Sequence, residues 1–557
     1  MEVAGLALGV ASAVGMLGQI FDGCVKAYSF FTSASNLGRD SDRVICKIRI
    51  EEMRLMVWGR EWGVAEGKLE AHLAAANGGE NDALKKLAEM ILKQLLDTIG
   101  NTQKLRQRYG VKEDGGAGTE KAQSPGVGAD LRLRARWVIA DKDKFDMLLK
   151  DLKDYNDGLE RLFPPSRVAT LQRTWTNELL QGAKRDITQL HLLESASMGT
   201  YPQLNNCASL KQLRINLDAE ESSKFKPTSA LKIPESKLKF PHEDDLERVQ
   251  GWYEDKPVII EWASYCDATD LDSRLLIYQR VDSLARMVHS ASNRHPDLHT
   301  LDCLGYVDDS SRKRYGLTYL DPRSSVPSSK GLAVEYPSPT TLSSVIEDPQ
   351  LRAPDLNLRF QLAHTLAVAL WSFHSLDWLH KSISSDNIMF FTTNDPSAPS
   401  ATTPSLSHPY LAGFTTSRPS DLVEMTAPPP ASTSRPACDL YRHPSSLGIW
   451  RQSYRHHFDI YSLGLVLLEI GLWKSLRKDF WKPKYTSTTF RDKAVLPVLV
   501  PGLGSKTGSR YRTVVERCLR YGDERERSAG DPPVKDEGMK QERMMEWVVS
   551  VLEGLRV

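Results

Sequence analysis

Cysteine and net charge are both scarce in this sequence of 557 residues. The seven cysteines form no CxxC pair, which argues against a zinc ribbon, a dithiol redox centre or a disulfide scaffold and favours a reducing, cytoplasmic compartment. The 72 basic and 71 acidic residues leave a net charge of +1, whereas a general nucleic-acid-binding protein needs a basic field. Hydrophobic residues make up 41% of the chain, an ordinary globular value. We therefore expect a folded protein that does not bind nucleic acid.

Long apolar runs are also rare, and the exception opens the chain. No charged residue occurs from Val3 to Phe21, a stretch of 19 residues that is long enough to cross a bilayer as a helix. Glu2 stands where a secretory signal peptide would carry positive charge, so a signal peptide is not expected. Glycine weakens a helix in water, but in lipid it lets helices approach closely. The segment is therefore either a core helix or a conditional membrane helix. Its candidate membrane-inserting residues are Gly5, Gly9, Gly15 and Gly18.

Helical periodicity dominates the sequence up to about residue 195. Apolar residues recur every three or four positions, which is the signature of a buried helix face. Strand-like alternation is scarce, so an all-α helical bundle is predicted. The predicted helices span 40–62, 82–109, 145–162 and 166–193.

Residues 112–130 are rich in glycine, proline and polar side chains and are predicted to form a flexible loop. Three arginines follow this loop at alternate positions, just before Trp137. Such a charge run is most often a solvated helix face, and the alternative is attraction to anionic lipid head groups. The candidate lipid-binding residues are Arg132, Arg134 and Arg136.

The order of features in this region points to a known family. A Gly-rich apolar start is followed by Cys24, then by Gly-Arg-Asp at 38–40, by Trp-Gly at 58–59 and by Leu-Phe-Pro at 162–164. This order resembles the fungal HeLo (prion-inhibition and propagation) domain of heterokaryon-incompatibility and cell-death proteins. The resemblance implies a helical domain whose amino-terminal segment inserts into the plasma membrane on activation. It also implies membrane lipids, an upstream receptor or homologous HeLo proteins as partners, and assembly into a homo-oligomer.

From about residue 246 the pattern changes to α+β. Before it, residues 196–245 are rich in proline and polar side chains and are predicted to be a linker with one strand-like run at 212–217. Strands are predicted at 257–262, 301–307 and 314–320, and helices at 273–291 and 357–380.

Several short motifs follow in this second region. They are HKSISSDNIMFF at 380–391, YLAGF at 410–414, YRHP at 441–444, FDIYSLG at 458–464 and VERCLR at 515–520. Their order resembles the catalytic loop, the strand before Asp-Phe-Gly, the end of the activation segment and two later helices of a protein kinase. The resemblance implies a bilobal α+β domain.

The catalytic-loop resemblance can be carried over residue by residue. His380 takes the His position, Ser382 replaces the catalytic Asp, and Asn387 takes the position of the metal-binding Asn. A serine hydroxyl is a poor base at neutral pH. Asp459 matches a buried structural Asp that ties its helix to the loop. We therefore interpret Asn387, His380 and Asp459 as structural.

The phosphate-binding positions also depart from the kinase pattern. Gly413 replaces the magnesium-binding Asp of Asp-Phe-Gly, and Phe414 keeps the Phe. Glu261 stands at the position of the strand lysine, where it would repel phosphate. The preceding sequence offers only Gly251 in place of a Gly-rich loop. Because four parts fail together, the resemblance implies a pseudokinase with no catalytic residues, no metal and no cofactor, and ATP or Mg²⁺ binding is not expected.

The full expectation is a HeLo-type cell-death and heterokaryon-incompatibility effector that targets membranes under the control of a pseudokinase. Two alternatives stay open: a divergent active kinase that transfers phosphate from ATP, and a soluble signalling scaffold without membrane activity. Ser/Thr/Pro-rich insertions at 393–409 and 419–437 are expected to be disordered. The predicted domains are a HeLo-like bundle (1–195) with the inserting segment 3–21, a linker (196–245) and a kinase-like domain (246–557).

Overall fold

A computed structural model divides the chain into an amino-terminal unit, Met1–Ser209, and a carboxy-terminal unit, Leu210–Val557. Each unit has its own hydrophobic core. The structure describes residues 15–32, 41–64, 67–75, 83–114, 136–139, 141–221, 229–241, 247–265, 271–292, 294–325, 337–392, 404–414, 418–419, 440–447, 452–527 and 537–555.

The amino-terminal unit is a helical bundle. Its elements are α1 (Met16–Thr32), α2 (Ser41–Glu61), α3 (Leu69–Ala75), α4 (Ala83–Gly100), α5 (Thr102–Tyr109), β1 (Val111–Asp114), β2 (Arg136–Ile139), α6 (Lys142–Glu160), α7 (Pro165–Gly182), α8 (Ile187–Ser197) and α9 (Pro202–Glu221). The predicted periodicity explains the packing, since α4 buries Ala88, Leu92 and Leu95 on one face. Trp58 of α2 is 1% exposed, and its indole N–H donates to the Leu159 carbonyl of α6 at 2.8 Å. The helical fold class of this region is confirmed.

Two predicted helices are each divided in the structure. The segment 82–109 breaks between α4 and α5 at Asn101, whose side chain accepts a hydrogen bond from Lys104 N at 3.0 Å and so caps α5. The segment 166–193 breaks before α8, where Asp186 accepts from Thr188 N at 2.9 Å. Both breaks follow from capping side chains that start a new helix.

A short hairpin corrects the prediction that this region is entirely α-helical. Strands β1 and β2 pair antiparallel, with Val111 opposite Ile139, so the predicted loop begins as a strand. Arg136 opens β2 and does not lie on a helix, while Arg132 and Arg134 lie outside the described residues.

Helix α9 corrects the prediction of a strand at 212–217 and occupies part of the segment 196–245 that was predicted to be a linker. Its buried positions follow a helical period, but they include Lys211 and Arg214, which are 1% and 2% exposed. A buried stripe that contains two basic residues looks polar in the sequence, and the helix was therefore missed. The boundary between the two units falls inside this helix.

The carboxy-terminal unit combines helices with antiparallel sheets. Its strands are β3 (Leu238–Lys239), β4 (Arg248–Tyr253), β5 (Lys256–Ser264), β6 (Cys303–Asp309), β7 (Arg314–Leu320), β8 (Thr340–Thr341), β9 (Trp378–Leu379), β10 (Ile388–Phe390), β11 (Tyr410–Leu411) and β12 (Arg418–Pro419). Its helices are α10 (Leu271–Ser292), α11 (Leu342–Glu347), α12 (Leu356–Ser375), α13 (His456–Leu472), α14 (Ser487–Phe490), α15 (Val500–Arg527) and α16 (Glu537–Glu553), with π-helical segments at Leu476–Phe480 and Arg491–Leu499.

The main sheet has five antiparallel strands in the order β3-β4-β5-β7-β6, and α10 follows β5 in the chain. The predicted strands at 257–262, 301–307 and 314–320 and the helix at 273–291 are confirmed. The predicted helix 357–380 ends earlier, at Ser375, and β9 follows it. Helix α13 is buried along nearly its whole length, which places it at the centre of the helical core.

Within the described residues, no helix is both long and apolar enough to span a bilayer. Of the predicted segment 3–21, residues 3–14 lie outside the described residues, and with them Gly5 and Gly9. Gly15 directly precedes α1, and Gly18 is buried within it. The cysteines at 24, 46, 207, 303 and 518 are buried thiols.

Candidate functional site

A cleft of ≈ 1050 Å³ lies beside the main sheet of the carboxy-terminal unit. Apolar walls come from Val249, Ile259 and Met389, which belong to β4, β5 and β10. Arg248 and Lys239 also line it and bring positive charge. The cleft therefore lies where the sheet meets the motif at 380–391 that the sequence singled out.

Asp459 holds the start of that motif. Its carboxylate is fully buried and accepts hydrogen bonds from His380 N at 2.9 Å and Lys381 N at 2.8 Å. The Tyr454 hydroxyl donates to the same carboxylate at 2.8 Å. Burial raises the pKa of Asp459, but hydrogen bonding and charge from His374 outweigh it, so the pKa lies below its usual value. Asp459 thus fixes the loop as an ionised acceptor at the start of α13.

His380 is a packed aromatic residue. Its ring centroid lies 4.9 Å from that of Phe414 and 5.8 Å from that of Phe373 of α12. All three rings are buried. Burial lowers the pKa of His380 to about 4, so the imidazole is neutral at physiological pH. The predicted site residues His380 and Phe414 are therefore in direct contact.

Asn387 joins the loop to the main sheet. Its amide nitrogen donates to the Ser382 carbonyl at 2.7 Å, which closes the loop on itself. Its amide oxygen accepts a hydrogen bond from the Arg248 guanidinium. A second nitrogen of Arg248 donates to the Asp386 carbonyl at 3.0 Å. Arg248 therefore holds this loop from β4.

Glu261 makes a second connection from the sheet. Its side chain is 3% exposed and accepts a hydrogen bond from Gly413 N at 2.9 Å. Gly413 has φ +86°, a left-handed conformation that favours glycine. A Cβ atom at this position would lie 2.5 Å from Asn387 Nδ2, so any other residue would displace Asn387. The structure thus brings Glu261, Gly413 and Asn387 together.

Sequence reasoning missed Arg248 and Tyr454, which complete the site. Neither belongs to a recognisable motif, and Arg248 lies 139 positions from Asn387 in the chain. The amino-terminal candidates are not part of this site, since Gly15, Gly18 and Arg136 belong to the other unit.

A second buried network lies behind the loop. The Tyr441 hydroxyl lies 2.7 Å from Ser385 Oγ and donates to Glu469 Oε2 at 2.8 Å. Leu476 N donates to Glu469 Oε1 at 2.8 Å. Burial, with a smaller contribution from the charge of Asp386, raises the pKa of Glu469 to about 7. This network fixes the end of the predicted activation segment on α13.

The described residues contain no group of three or more His, Cys, Asp or Glu side chains that could hold a metal ion. The Ser382 carbonyl accepts a hydrogen bond from Asn387. Glu261 lies beside a backbone N–H, and Asn387 lies beside a guanidinium. The polar groups of Glu261, Asn387 and Arg248, at the junction of the sheet and the two loops, are therefore engaged in hydrogen bonds within the protein.

Two family models match the chain. The HeLo model, described as prion-inhibition and propagation, matches residues 5–193, which confirms the resemblance seen in the sequence. A model described as a domain of unknown function (DUF7580) matches residues 263–554, more than half of the chain. The chain is also similar to Heterokaryon incompatibility protein S of Podospora anserina, with 23% identity over 222 residues, covering 36% of this chain and 73% of that protein. The chain thus carries an amino-terminal HeLo domain and belongs to the family described as a domain of unknown function, DUF7580.

Proposed function

We propose that this chain is a cell-death effector of the heterokaryon-incompatibility type, in which the HeLo domain acts on membranes and the carboxy-terminal unit controls it. The HeLo match over residues 5–193 carries the proposal. The similarity to Heterokaryon incompatibility protein S supports the same class of function. The protein rests in the cytoplasm and moves to the plasma membrane on activation. Its partners are lipids, an upstream receptor or homologous HeLo proteins, and further copies of itself.

The carboxy-terminal unit acts in this proposal as a pseudokinase. The strand order β3-β4-β5-β7-β6, with α10 after β5, and the bonds of Asp459 to the loop support a kinase-like architecture. Ser382, Gly413 and Glu261 replace the groups that phosphoryl transfer requires. The sequence between β3 and β4 includes Glu243, Asp244 and Asp245, and acidic charge there disfavours phosphate. The unit therefore signals by changing conformation and does not transfer phosphate.

The membrane step uses residues 3–21. In the resting protein the last part of this segment belongs to the core, since Leu17 is 0% and Phe21 7% exposed. Insertion must therefore release the start of α1 from the bundle. A signal can drive this release only if it binds the released state more tightly than the resting state.

A charge placed in the segment tests this step without removing core residues. Gly9→Asp puts a carboxylate where lipid would surround it, at a cost of about 2.5–3.5 kcal/mol at a helix centre, which corresponds to about a hundredfold weaker insertion. Ser29→Asp is the matched control, because Ser29 is an exposed residue of α1 outside the segment. Both variants are expressed in filamentous fungal cells, and cell death is measured. The purified variants are also assayed for leakage of anionic liposomes.

Because assembly into oligomers is driven by concentration, we expect overexpression of the unmodified chain or of Ser29→Asp to kill cells, and both proteins at high concentration to permeabilise liposomes, whereas Gly9→Asp should do neither. Equal toxicity of the two variants would rule out insertion of residues 3–21. Toxicity without leakage would favour a soluble scaffold. Thiophosphorylated products, detected by mass spectrometry and lost in Asn387→Ala, would instead establish an active kinase.

A further inference from the structure

Arg248, which lines the cleft, connects the main sheet to the loop at 380–391. Two guanidinium nitrogens of Arg248 donate hydrogen bonds to the loop. One donates to the Asn387 amide oxygen and the other to the Asp386 carbonyl. A guanidinium with two fixed acceptors is held in orientation as well as position. The sheet and the loop are thus joined directly by Arg248.

Glu261 joins the same sheet to the loop at 410–414. Its carboxylate accepts the Gly413 N–H at 2.9 Å, and the site is buried. A buried carboxylate that lost this donor would lose a hydrogen bond that offsets part of its desolvation cost, so the contact favours the arrangement in which the sheet and the loop are joined. Glu261 and Arg248 lie opposite each other in the β4–β5 register, and the sheet therefore presents both groups from adjacent strands.

The two connections meet at Asn387 and Gly413. A Cβ atom at 413 would lie 2.5 Å from Asn387 Nδ2, so the glycine lets the two loops approach closely enough for both connections to form. Asn387 in turn donates to Ser382 O at 2.7 Å. Movement of either loop would therefore disturb both connections.

We infer that Arg248 and Glu261 form a clamp that holds the sheet of the carboxy-terminal unit against residues 380–391 and 410–414. The clamp fixes the resting arrangement of the sheet and the two loops, and a partner that separates them must displace Arg248 from Asn387. The inference rests on the proposed function only in taking this cleft as the control point of the unit. Its contacts hold whether or not the HeLo domain permeabilises membranes.

Hydrogen–deuterium exchange on the full chain tests the clamp. The variants are Arg248→Met, Glu261→Leu and the double variant, with Lys256→Met as the control, because Lys256 is an exposed residue of the same sheet. We expect Arg248→Met to speed exchange in peptides covering 380–391 and 410–414 by about tenfold or more, since it removes two hydrogen bonds from a charged group and the loss of one alone corresponds to about tenfold. Lys256→Met should leave these peptides unchanged.

The double variant shows whether the two side chains act together. If the two side chains act together, the fold-increase in exchange rate of the double variant differs from the product of the fold-increases of the two single variants. Independent contacts give that product. Peptides of α13 serve as the reference for global unfolding. If they also lose protection in Arg248→Met, Arg248→Lys is measured in its place, and it should speed exchange at 380–391 alone.

Unchanged exchange at 380–391 in Arg248→Met and in Arg248→Lys overturns the clamp, as does a simple product in the double variant. None of these outcomes bears on liposome leakage. Failure of the clamp is therefore distinguishable from failure of the membrane proposal.

Discussion

Single residues set how closely α1 can approach α2. The Phe21 ring lies directly over Gly59, where a Cβ atom would come within 2.2 Å of Phe21 Cζ. Phe21 also contacts Trp58, with 6.2 Å between ring centroids. Glycine at 59 is thus required by the close approach of an aromatic ring. The start of α1 is therefore held by close packing of Phe21 on Gly59, and one added methyl group at residue 59 would disrupt this packing.

Gly59→Ala should weaken the amino-terminal unit. The added methyl group must push Phe21 aside, and overpacking of this kind costs about 1–3 kcal/mol. Gly182→Ala is the control, because a Cβ atom there meets nothing within 4 Å, and its stability should be unchanged or slightly raised. Urea unfolding of both variants measures the difference. Equal midpoints would mean that α1 repacks freely over α2.

At the scale of elements, one buried cation joins several helices of the bundle. Arg54 of α2 is 3% exposed and forms ion pairs with Glu51 at 3.1 Å, Asp157 at 2.7 Å and Glu160 at 2.9 Å. It also donates to the Tyr201 hydroxyl at 2.8 Å, just before α9 begins. Burial raises the pKa of Glu51 against the opposing effect of Arg54. Helices α2 and α6 and the start of α9 are thus fixed around one guanidinium.

Arg54→Met should destabilise this unit far more than loss of a surface pair. Removing the cation leaves the buried carboxylates of Glu51 and Glu160 without the guanidinium that compensates their charge, which costs about 3–5 kcal/mol. Arg60→Met removes the ion pair with Glu178, whose side chains are 35% and 30% exposed, and should cost about 1 kcal/mol or less. Thermal unfolding compares the two. Similar losses would show that the Arg54 cluster contributes no more than a surface pair.

The elements also show where sequence reasoning succeeds and where it stops. Strand β5 was predicted because its apolar run is buried on both faces, and α4 because its buried face is purely apolar. Helix α9 was missed because Lys211 and Arg214 occupy buried positions. Periodicity analysis assigns basic residues to the exposed face of a helix, so it did not detect this one.

The same limit applies to the candidate site. The motif at 380–391 identified His380 and Asn387 because both residues belong to one short continuous segment. Their spacing can therefore be read directly from the sequence. Arg248 was invisible, because its partner lies 139 positions away and only the fold brings them together. Resemblance thus located the loop, whereas its bonding partners required the structure.

At the scale of the whole molecule, the near-neutral charge hides buried groups that respond to pH in opposite directions. Burial lowers the pKa of His380 to about 4 and that of His443 to about 3. Their contribution to stability is present above the unfolded histidine pKa of about 6.5 and is lost as the pH falls towards these values. Glu469 behaves in the opposite way, because burial raises its pKa to about 7. Its contribution is full below the unfolded pKa of about 4.3 and is lost as the pH rises through 7.

Glu469→Gln isolates this second effect. Glutamine keeps an acceptor for Leu476 N and a polar partner for Tyr441 but does not ionise. Between pH 5 and pH 8 the melting temperature of the unmodified chain should therefore fall relative to that of the variant. The corresponding loss in the free energy of unfolding is on the order of 3 kcal/mol. Glu516→Gln is the control, since the Glu516 side chain is 43% exposed, and it should follow the unmodified chain at every pH. A constant offset between the Glu469→Gln variant and the unmodified chain across this range would mean that Glu469 stays in one protonation state. The link between pH and the hydrogen bonds of Glu469 would then be lost, and α13 would bind Tyr441 equally well at every pH.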